Sequence, residues 1–294
     1  MNLLTLLAGI VFAVEATVLS PLASDWQPLE QIVNLPTTTF GQITSLLPEP
    51  EVLGEQTSLS NNAAPTPTSK PVRTTRQKSY TIALLGDSMI DTLGKDAANL
   101  AGRLNSVYPR TDFTIQNYGV GGTNIDYGLA RVTGDYDYVD SHIPALASQS
   151  PDVVVIESFG YNPFVQSDDY LTRHWLALAH VIDALRLHIP GVKLVIAATI
   201  APNAEVFGDG VLNWTSEQKH QKVATIKEYL KNAVKFARSQ KLPLADAYHA
   251  SLGSNGNGKL MYINPGDHIH YSEAGMALMA QKIAETIAAN RLLE

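Results

Sequence analysis

The sequence predicts an α/β fold built on a five-stranded parallel sheet with helices on both faces. From residue 80 onward, short apolar runs typical of buried strands alternate with longer segments whose apolar residues recur every three or four positions, as in amphipathic helices. Strands joined by helical crossovers pair in parallel, and the crossover helices then cover both faces of the sheet. The chain contains no internal repeat that would suggest a solenoid.

Five segments have the composition of buried strands. Thr81–Leu85 is an apolar run that ends at the turn residues Gly86-Asp87-Ser88. Asp152–Glu157 contains four consecutive β-branched residues and no polar alternation, as expected for a strand that is covered on both faces. The other predicted strands are Phe113–Asn117, Val192–Ile200 and Leu244–Tyr248.

Four segments have the periodicity of amphipathic helices. Tyr170–His188 carries five large apolar residues at three- and four-residue spacing, from Leu171 to Leu185. Ser216–Arg238 is longer and also keeps its apolar residues on one face. The other predicted helices are Lys95–Val107 and Glu273–Ala289.

The overall composition narrows the class of protein. The chain has 294 residues, of which 45% are hydrophobic and 17% charged, so it is long and apolar enough to bury a sizeable core. The formal net charge of −7 argues against nucleic acid as the main partner, because binding to phosphates needs a basic face. The absence of cysteine excludes disulfides, thiol nucleophiles and cysteine-ligated metal sites.

The amino-terminal region differs in composition from the rest. Leu3–Val14 is an uncharged apolar run with the length of a signal-peptide core, although no basic residue precedes it and Glu15 interrupts it. We therefore expect a signal peptide or an uncleaved membrane anchor in residues 1–24, with a soluble amphipathic segment as the alternative. Residues 25–78 are rich in Pro, Ser and Thr and predict a linker, and residues 79–294 predict the globular domain. This organisation predicts an exported protein, either secreted or attached to the membrane.

Ser88 lies where the first predicted strand turns into a helical segment. A serine in such a turn projects at the carboxyl edge of the sheet, where ligands of open α/β sheets bind. Taken alone, Gly-Asp-Ser is equally typical of an ordinary turn. Two further loops that follow predicted strands contain glycines and an amide side chain, namely residues 117–123 and residues 157–163.

A fourth loop, near the end of the chain, contains Asp267 and His270. Their three-residue spacing puts them on one side of a turn, so the carboxylate can hold one imidazole nitrogen while the other faces a nucleophile. His268 and His270 could instead form half of a metal site. No other cluster of His or acidic residues in the sequence completes a set of ligands, so we predict no metal.

Together, the four loops resemble the blocks of the GDSL, or SGNH, hydrolase family, in the family's order and over the chain from Tyr80 to its end. The resemblance implies a flavodoxin-like three-layer α/β/α sandwich and an enzyme without a cofactor. By position, it implies that Ser88 is the nucleophile, His270 the general base and acid, and Asp267 the residue that orients His270. The oxyanion hole would consist of the Ser88 N–H, the Gly122 N–H and the Asn162 side-chain amide.

The sequence departs from the family pattern at two points. Met89 follows the Gly-Asp-Ser block, where leucine is frequent. Pro163 follows Asn162, where aspartate is usual. The proline puts the shape of the Asn162 loop in question, but not the role of the Asn162 amide as a donor. We expect the pocket to be bordered by the loop Pro202–Trp214, and also by Met89, Asp91 and Tyr161.

The resemblance predicts a serine hydrolase that cleaves carboxylic esters through an acyl-enzyme. An exported domain on a linker favours O-acetyl esters of carbohydrate as substrates, so the expected partner is a small-molecule or polysaccharide ester. The alternatives with the same three residues are a lysophospholipase or thioesterase and an O-acyltransferase. The alternative from another class is an inactive glycan-binding module.

Overall fold

The computed structural model describes residues 79–165 and 167–294. The predicted signal or anchor in residues 1–24 and the predicted linker in residues 25–78 lie outside the described residues. In chain order, the strands are β1 (Ser79–Gly86), β2 (Asp112–Gly119), β3 (Tyr136–Tyr138), β4 (Ser141–Ile143), β5 (Val153–Glu157), β6 (Lys193–Ala198) and β7 (Leu244–Asp246).

Five of these strands form one sheet in the order β2-β1-β5-β6-β7. Every neighbouring pair in this sheet is parallel, which confirms the predicted five-stranded parallel sheet. The chain runs from β1 outward to β2 and then returns to the other side of β1 at β5. This reversal is the topological switch point at which open α/β sheets bind their ligands.

Seven helices are present among the described residues, and two of them, Tyr170–His188 and Glu273–Ala289, have the bounds predicted from the sequence. Two 3₁₀ turns, Leu146–Gln149 and Leu260–Tyr262, complete the structure of this part of the chain. The helices are α1 (Ser88–Asp91), α2 (Ala98–Val107), α3 (Ile125–Thr133), α4 (Tyr170–His188), α5 (Ser216–Ser239), α6 (Ala247–Ser251) and α7 (Glu273–Ala289).

The sheet buries a separate apolar cluster on each face. Alternate residues of β1 point to opposite faces, so that Ile82 and Leu84 join one cluster while Ala83 and Leu85 join the other. The first cluster includes the buried residues of α2 and α7, and the second includes those of α3 and α4. This arrangement confirms the three-layer α/β/α sandwich.

Several local features differ from the prediction. The helices α1, α3 and α6 were not predicted. The predicted strand Leu244–Tyr248 ends at Asp246, because the Asp246 carboxylate accepts the His249 N–H at 3.0 Å and caps α6. The β3–β4 hairpin was not predicted, and it pairs Tyr136 with Ile143 and Tyr138 with Ser141. Within the two described ranges, no helix is long and apolar enough to cross a membrane.

Candidate active site

Ser88 is the first residue of α1 and is separated from the end of β1 only by Asp87. The Asp87 carboxylate accepts the Met89 N–H at 2.8 Å and thereby caps this short helix. Gly86 is needed at the end of β1, because a Cβ there would lie 2.2 Å from Ile90 Cγ1. The sharp turn from strand to helix leaves Ser88 at the carboxyl edge of the sheet, as the sequence predicted, and 7% exposed.

Asp267 and His270 form a buried pair. His270 Nδ1 lies 2.9 Å from Asp267 Oδ2, while Asp267 Oδ1 accepts the N–H groups of Ile269 and His270 at 2.8 and 3.0 Å. The side chains of Asp267 and His270 are 5% and 8% exposed. Burial alone would raise the pKa of Asp267, but the hydrogen bonds and the nearby His270 charge hold this pKa below its usual value.

His270 lies close to α1. It interacts electrostatically with the carboxyl groups of Asp87 and Asp91, the residues just before and three residues after Ser88. Among the described residues, Ser88 Oγ has no hydrogen-bond partner. The hydrogen bond between Ser88 and His270 that the sequence predicted is therefore not formed in this structure. In unliganded enzymes, hydrogen bonds of this kind are often long and tighten when substrate binds.

The glycine loop, residues 119–123, begins at the last residue of β2 and lies against α1. Asn117 Nδ2 donates to the carbonyls of Ile90 and Gly94 at 2.9 and 2.8 Å, and Asn117 Oδ1 accepts the Gly119 N–H at 2.8 Å. Gly122 has φ +73°, a left-handed conformation that favours glycine. No atom lies within 4 Å of where a Gly122 side chain would begin, so the space beside its backbone is open.

We expect Gly119→Ala to destabilise the fold by about 3 kcal/mol. A Cβ at this position would lie 2.2 Å from the Asp91 backbone nitrogen and 2.7 Å from the Ile90 carbonyl carbon, neither of which can rotate away. The measurement is urea unfolding. Gly102→Ala is the control, because nothing lies within 4 Å of its Cβ position on α2, and it should stabilise by about 0.5 kcal/mol or more. Equal stabilities of Gly119→Ala and wild type would contradict the close approach of the loop to α1.

Asn162 lies beside Ser88, in the loop that follows β5. Its Nδ2 donates to Asp87 Oδ2 at 3.0 Å, which fixes the side-chain amide next to α1. Pro163 does not disturb this contact, although Pro replaces the residue that is usual there. The Phe164 N–H donates to Tyr229 Oη of α5 at 3.0 Å. The loop is therefore hydrogen-bonded to Asp87 through Asn162 and to α5 through Phe164.

Glu157, at the end of β5, was not singled out in the sequence and is fully buried beside Asp87. Burial and the Asp87 charge raise the pKa of Glu157 well above its usual value. Burial also raises the pKa of Asp87, but the Met89 N–H, the Asn162 amide and the His270 charge oppose that rise. The pKa values of both carboxyls of this buried pair are therefore raised.

The buried carboxyl of Glu157 predicts a pH-dependent stability. Above the pKa of a glutamate in the unfolded chain, the folded state still holds the proton that the unfolded state has lost, so the free energy of unfolding falls as pH rises towards the raised pKa. Urea unfolding from about pH 5 to about pH 8 should show wild type losing up to about 1.4 kcal/mol per pH unit relative to Glu157→Gln. Parallel pH curves for the two proteins would contradict a raised pKa at Glu157.

The structure corrects one of the predicted pocket residues, because Met89 is fully buried in the core. Tyr161 is about as buried as Ser88 and His270, and its hydroxyl donates to the Ile200 carbonyl at 3.2 Å. Asp91 is only partly buried, as expected of a residue at the border of a pocket. Tyr138, whose hydroxyl donates to the Asp91 carboxylate, was not predicted, because the two residues are 47 positions apart.

The loop of residues 202–214 packs against the segment that carries Asp267. His268 Nδ1 lies 3.0 Å from the Asp209 carbonyl oxygen, and a Cβ at Gly210 would lie 2.9 Å from the Gly266 carbonyl oxygen. In the same loop, Trp214 stacks on Phe207 with ring centroids 6.0 Å apart. This loop therefore borders the site, as the sequence predicted.

A cavity of about 420 Å³ lies at the opposite end of the sheet. It is lined by residues at the start of β1 and β6 and at the end of the chain, including Tyr80, Lys193 and Leu293. Since Ser88, Asn162 and His270 all lie at the carboxyl edge, this cavity has no part in their chemistry.

Comparison with known proteins identifies the family. The model of the GDSL-like lipase/acylhydrolase family matches residues 84–278, well over half of the chain. The chain therefore belongs to this family, and its class is that of a carboxylic ester hydrolase. No curated protein matches the sequence significantly.

Solved structures share the fold. A lipase/acylhydrolase from Enterococcus faecalis is 19% identical with a TM-score of 0.51, covering 72% of this chain and 96% of that one. A GDSL-like lipase from Bacteroides thetaiotaomicron is 15% identical with a TM-score of 0.51, covering 72% and 89%. An acetylxylan esterase from Geobacillus stearothermophilus is 16% identical with a TM-score of 0.46, covering 71% and 94%. At these identities the first two show the shared fold alone, and the third carries no argument about substrate.

Proposed function

We propose that the chain is a serine esterase that removes O-acetyl groups from carbohydrate through an acyl-enzyme on Ser88. The observation that carries this proposal is the 2.9 Å contact between His270 Nδ1 and Asp267 Oδ2, buried near α1. A carboxylate that accepts the Nδ1 proton leaves Nε2 free to act as a base. His270 also interacts electrostatically with the carboxyl groups of Asp87 and Asp91, which lie on both sides of Ser88, and this supports pairing it with the serine.

The proposed reaction has two halves. His270 Nε2 takes the proton of the Ser88 hydroxyl as Ser88 Oγ attacks the ester carbonyl carbon, and the carbonyl oxygen becomes an oxyanion. The bond to the alcohol then breaks, His270 gives its proton to the departing alcohol, and the acyl group stays on Ser88. In the second half, His270 takes a proton from water, the resulting hydroxide attacks the acyl-enzyme, and Ser88 regains its proton as the acid leaves.

Three donors would stabilise the oxyanion: the Ser88 N–H, the Gly122 N–H and the Asn162 amide. Asn162 Nδ2 has two hydrogens, and the bond to Asp87 uses one of them, which leaves the other for substrate. The open space beside Gly122 gives room for the reacting group. Each donor of this kind contributes about 3–4 kcal/mol to transition-state stabilisation.

Two features support a small acyl group and a sugar alcohol. Ser88 and His270 are almost buried, so a short acyl group such as acetyl reaches the nucleophile more easily than a long chain. The partly exposed Trp214, in the loop that packs on the Asp267 segment, offers an apolar surface of the kind on which sugar rings stack.

The test measures release of p-nitrophenol from acetyl, butyryl and octanoyl esters by the full chain, together with release of acetate from an acetylated oligosaccharide. We expect the highest kcat/KM for the acetyl ester and measurable release from the oligosaccharide. A preference for the octanoyl ester would instead support a lipid substrate. No turnover of any ester, with the protein folded, would overturn the hydrolase and favour a transferase or a binding module.

We also propose that residues 1–24 direct the chain out of the cytoplasm, as a signal peptide or a membrane anchor, and that residues 25–78 link this segment to the enzyme domain. The uncharged apolar run Leu3–Val14 supports this proposal. Fractionation of cells, with sequencing of the amino terminus, tests it. Full-length protein in the soluble cytosol would contradict export.

A further inference from the structure

The β3–β4 hairpin connects the nucleophile helix to the glycine loop through one side chain. Tyr138 Oη donates to Asp91 Oδ2 at 2.8 Å, and the same oxygen accepts the Gly121 N–H at 3.1 Å. Asp91 lies three residues after Ser88 on α1, and Gly121 directly precedes Gly122. A single phenol therefore joins the helix that carries the nucleophile to the peptide before the oxyanion donor.

The glycine loop needs such a restraint. Gly121 and Gly122 are adjacent, and glycine has more backbone freedom than any other residue, so the direction of the Gly122 N–H is not fixed by local sterics. On one side, the loop is tied down by the Val120 N–H, which donates to the Gly86 carbonyl at 3.2 Å. Tyr138 supplies the next restraint along the chain, at Gly121.

The hairpin is itself well anchored, so it can hold Tyr138 in place. At its base, the Ala145 N–H donates to Asp135 Oδ1 at 2.8 Å. The Arg131 guanidinium lies 5.7 Å from the centre of the Tyr136 ring in the hairpin. It also donates to the Gly86 carbonyl at 2.9 Å, so Arg131 links the hairpin to the end of β1. Tyr138 thus lies on an element that is held in place by several contacts, as expected of a side chain that positions another group.

We propose that Tyr138 is a positioning residue, which with Asp91 orients the glycine loop so that the Gly122 N–H points at the oxyanion. This inference rests on the proposed function, because it assigns Tyr138 a role in the same reaction. Tyr138 touches no reacting atom, and its effect passes through Gly121. The loss of its hydroxyl therefore weakens transition-state stabilisation without changing the nucleophile or the base.

The hairpin also offers a matched control. Tyr136 lies two residues before Tyr138, and its hydroxyl is buried without a hydrogen-bond partner among the described residues. Tyr136→Phe removes the same hydroxyl from the same hairpin and keeps the ring that Arg131 contacts. We expect it to leave kcat, KM and the glycine loop unchanged.

The test compares Tyr138→Phe with Tyr136→Phe on the acetyl ester, beside hydrogen exchange of the glycine-loop amides. Tyr138→Phe should lower kcat about tenfold, which corresponds to about 1.4 kcal/mol, with KM within about twofold. The Gly121 amide should exchange at least about tenfold faster, since it loses its only protecting acceptor among the described residues. A boronic acid that mimics the tetrahedral intermediate should bind more weakly by the same factor as the fall in kcat.

A second variant separates positioning from general loosening of the structure. In Asp91→Ala/Tyr138→Phe, the Gly121 amide should exchange no faster than in Tyr138→Phe alone, because both changes break one connection. Wild-type kcat in Tyr138→Phe, unchanged exchange at Gly121, or an equal loss in Tyr136→Phe would each overturn the inference. The proposed function fails on a different result, namely turnover that does not depend on Ser88, so the two failures are distinguishable.

Discussion

Replacing Ser88 with alanine should lower kcat for ester hydrolysis by at least about 10⁴-fold while the protein stays folded. The reaction proposed for this chain requires the Ser88 oxygen to form the acyl-enzyme, and alanine has no atom that can replace it. The described residues provide no hydrogen-bond partner for Ser88 Oγ, so its removal leaves no buried group unpaired. The free energy of unfolding should therefore change by less than about 0.5 kcal/mol.

The measurement is steady-state turnover of the acetyl ester, with urea unfolding of the same samples. Ser106→Ala, which changes an exposed serine on α2, is the control and should behave as wild type in both assays. If Ser88→Ala retains more than about one hundredth of wild-type kcat, Ser88 is not the nucleophile.

Asp267→Asn should lower kcat by about 10³- to 10⁴-fold. The Asp267 carboxylate accepts hydrogen bonds from His270 Nδ1 and from two backbone N–H groups. An asparagine amide that keeps the backbone bonds turns its NH₂ towards Nδ1. His270 then holds its proton on Nε2, where it can no longer accept the proton of Ser88.

The chain contains a second Asp-His pair that serves as the matched control. His249 Nδ1 lies 2.7 Å from Asp246 Oδ2 with the same three-residue spacing, but the His249 side chain is 50% exposed, against 8% for His270. Asp246→Asn should leave kcat within about twofold, because this half-exposed pair caps α6, and asparagine caps a helix as well as aspartate does. Similar losses in the two variants would show that Asp267 acts on stability and not on the orientation of His270.

Much of the fold follows from local patterns in the sequence. The bounds of α4 and α7 are predicted because each helix packs one continuous apolar face on the sheet, and this face appears directly as three- and four-residue spacing. The helix α3 was missed because Gly128 interrupts its pattern. In the structure, a Cβ at Gly128 would lie 2.4 Å from the Phe159 ring, so a tertiary contact and not helix propensity determines the residue.

In the candidate site, too, some residues can be predicted from local sequence patterns and others cannot. Ser88, Gly122, Asn162 and the Asp267–His270 pair all lie in short blocks, each of which follows a strand or forms a single turn, so they can be found in the sequence. The Asp91–Tyr138 connection is different, because it joins α1 to a hairpin whose strands, at three residues each, are too short to show a periodic pattern. Contacts of this kind arise from packing between elements and leave no local pattern.

Trapping the proposed acyl-enzyme on Ser88 gives direct evidence for or against the reaction. The full chain is mixed with p-nitrophenyl acetate or an alkyl fluorophosphonate, quenched, digested and analysed by mass spectrometry. We expect one modified group per chain, on the peptide that contains Ser88, and slow labelling in Asp267→Asn. A label on another serine, or none on a folded chain that hydrolyses the ester, would contradict an acyl-enzyme on Ser88.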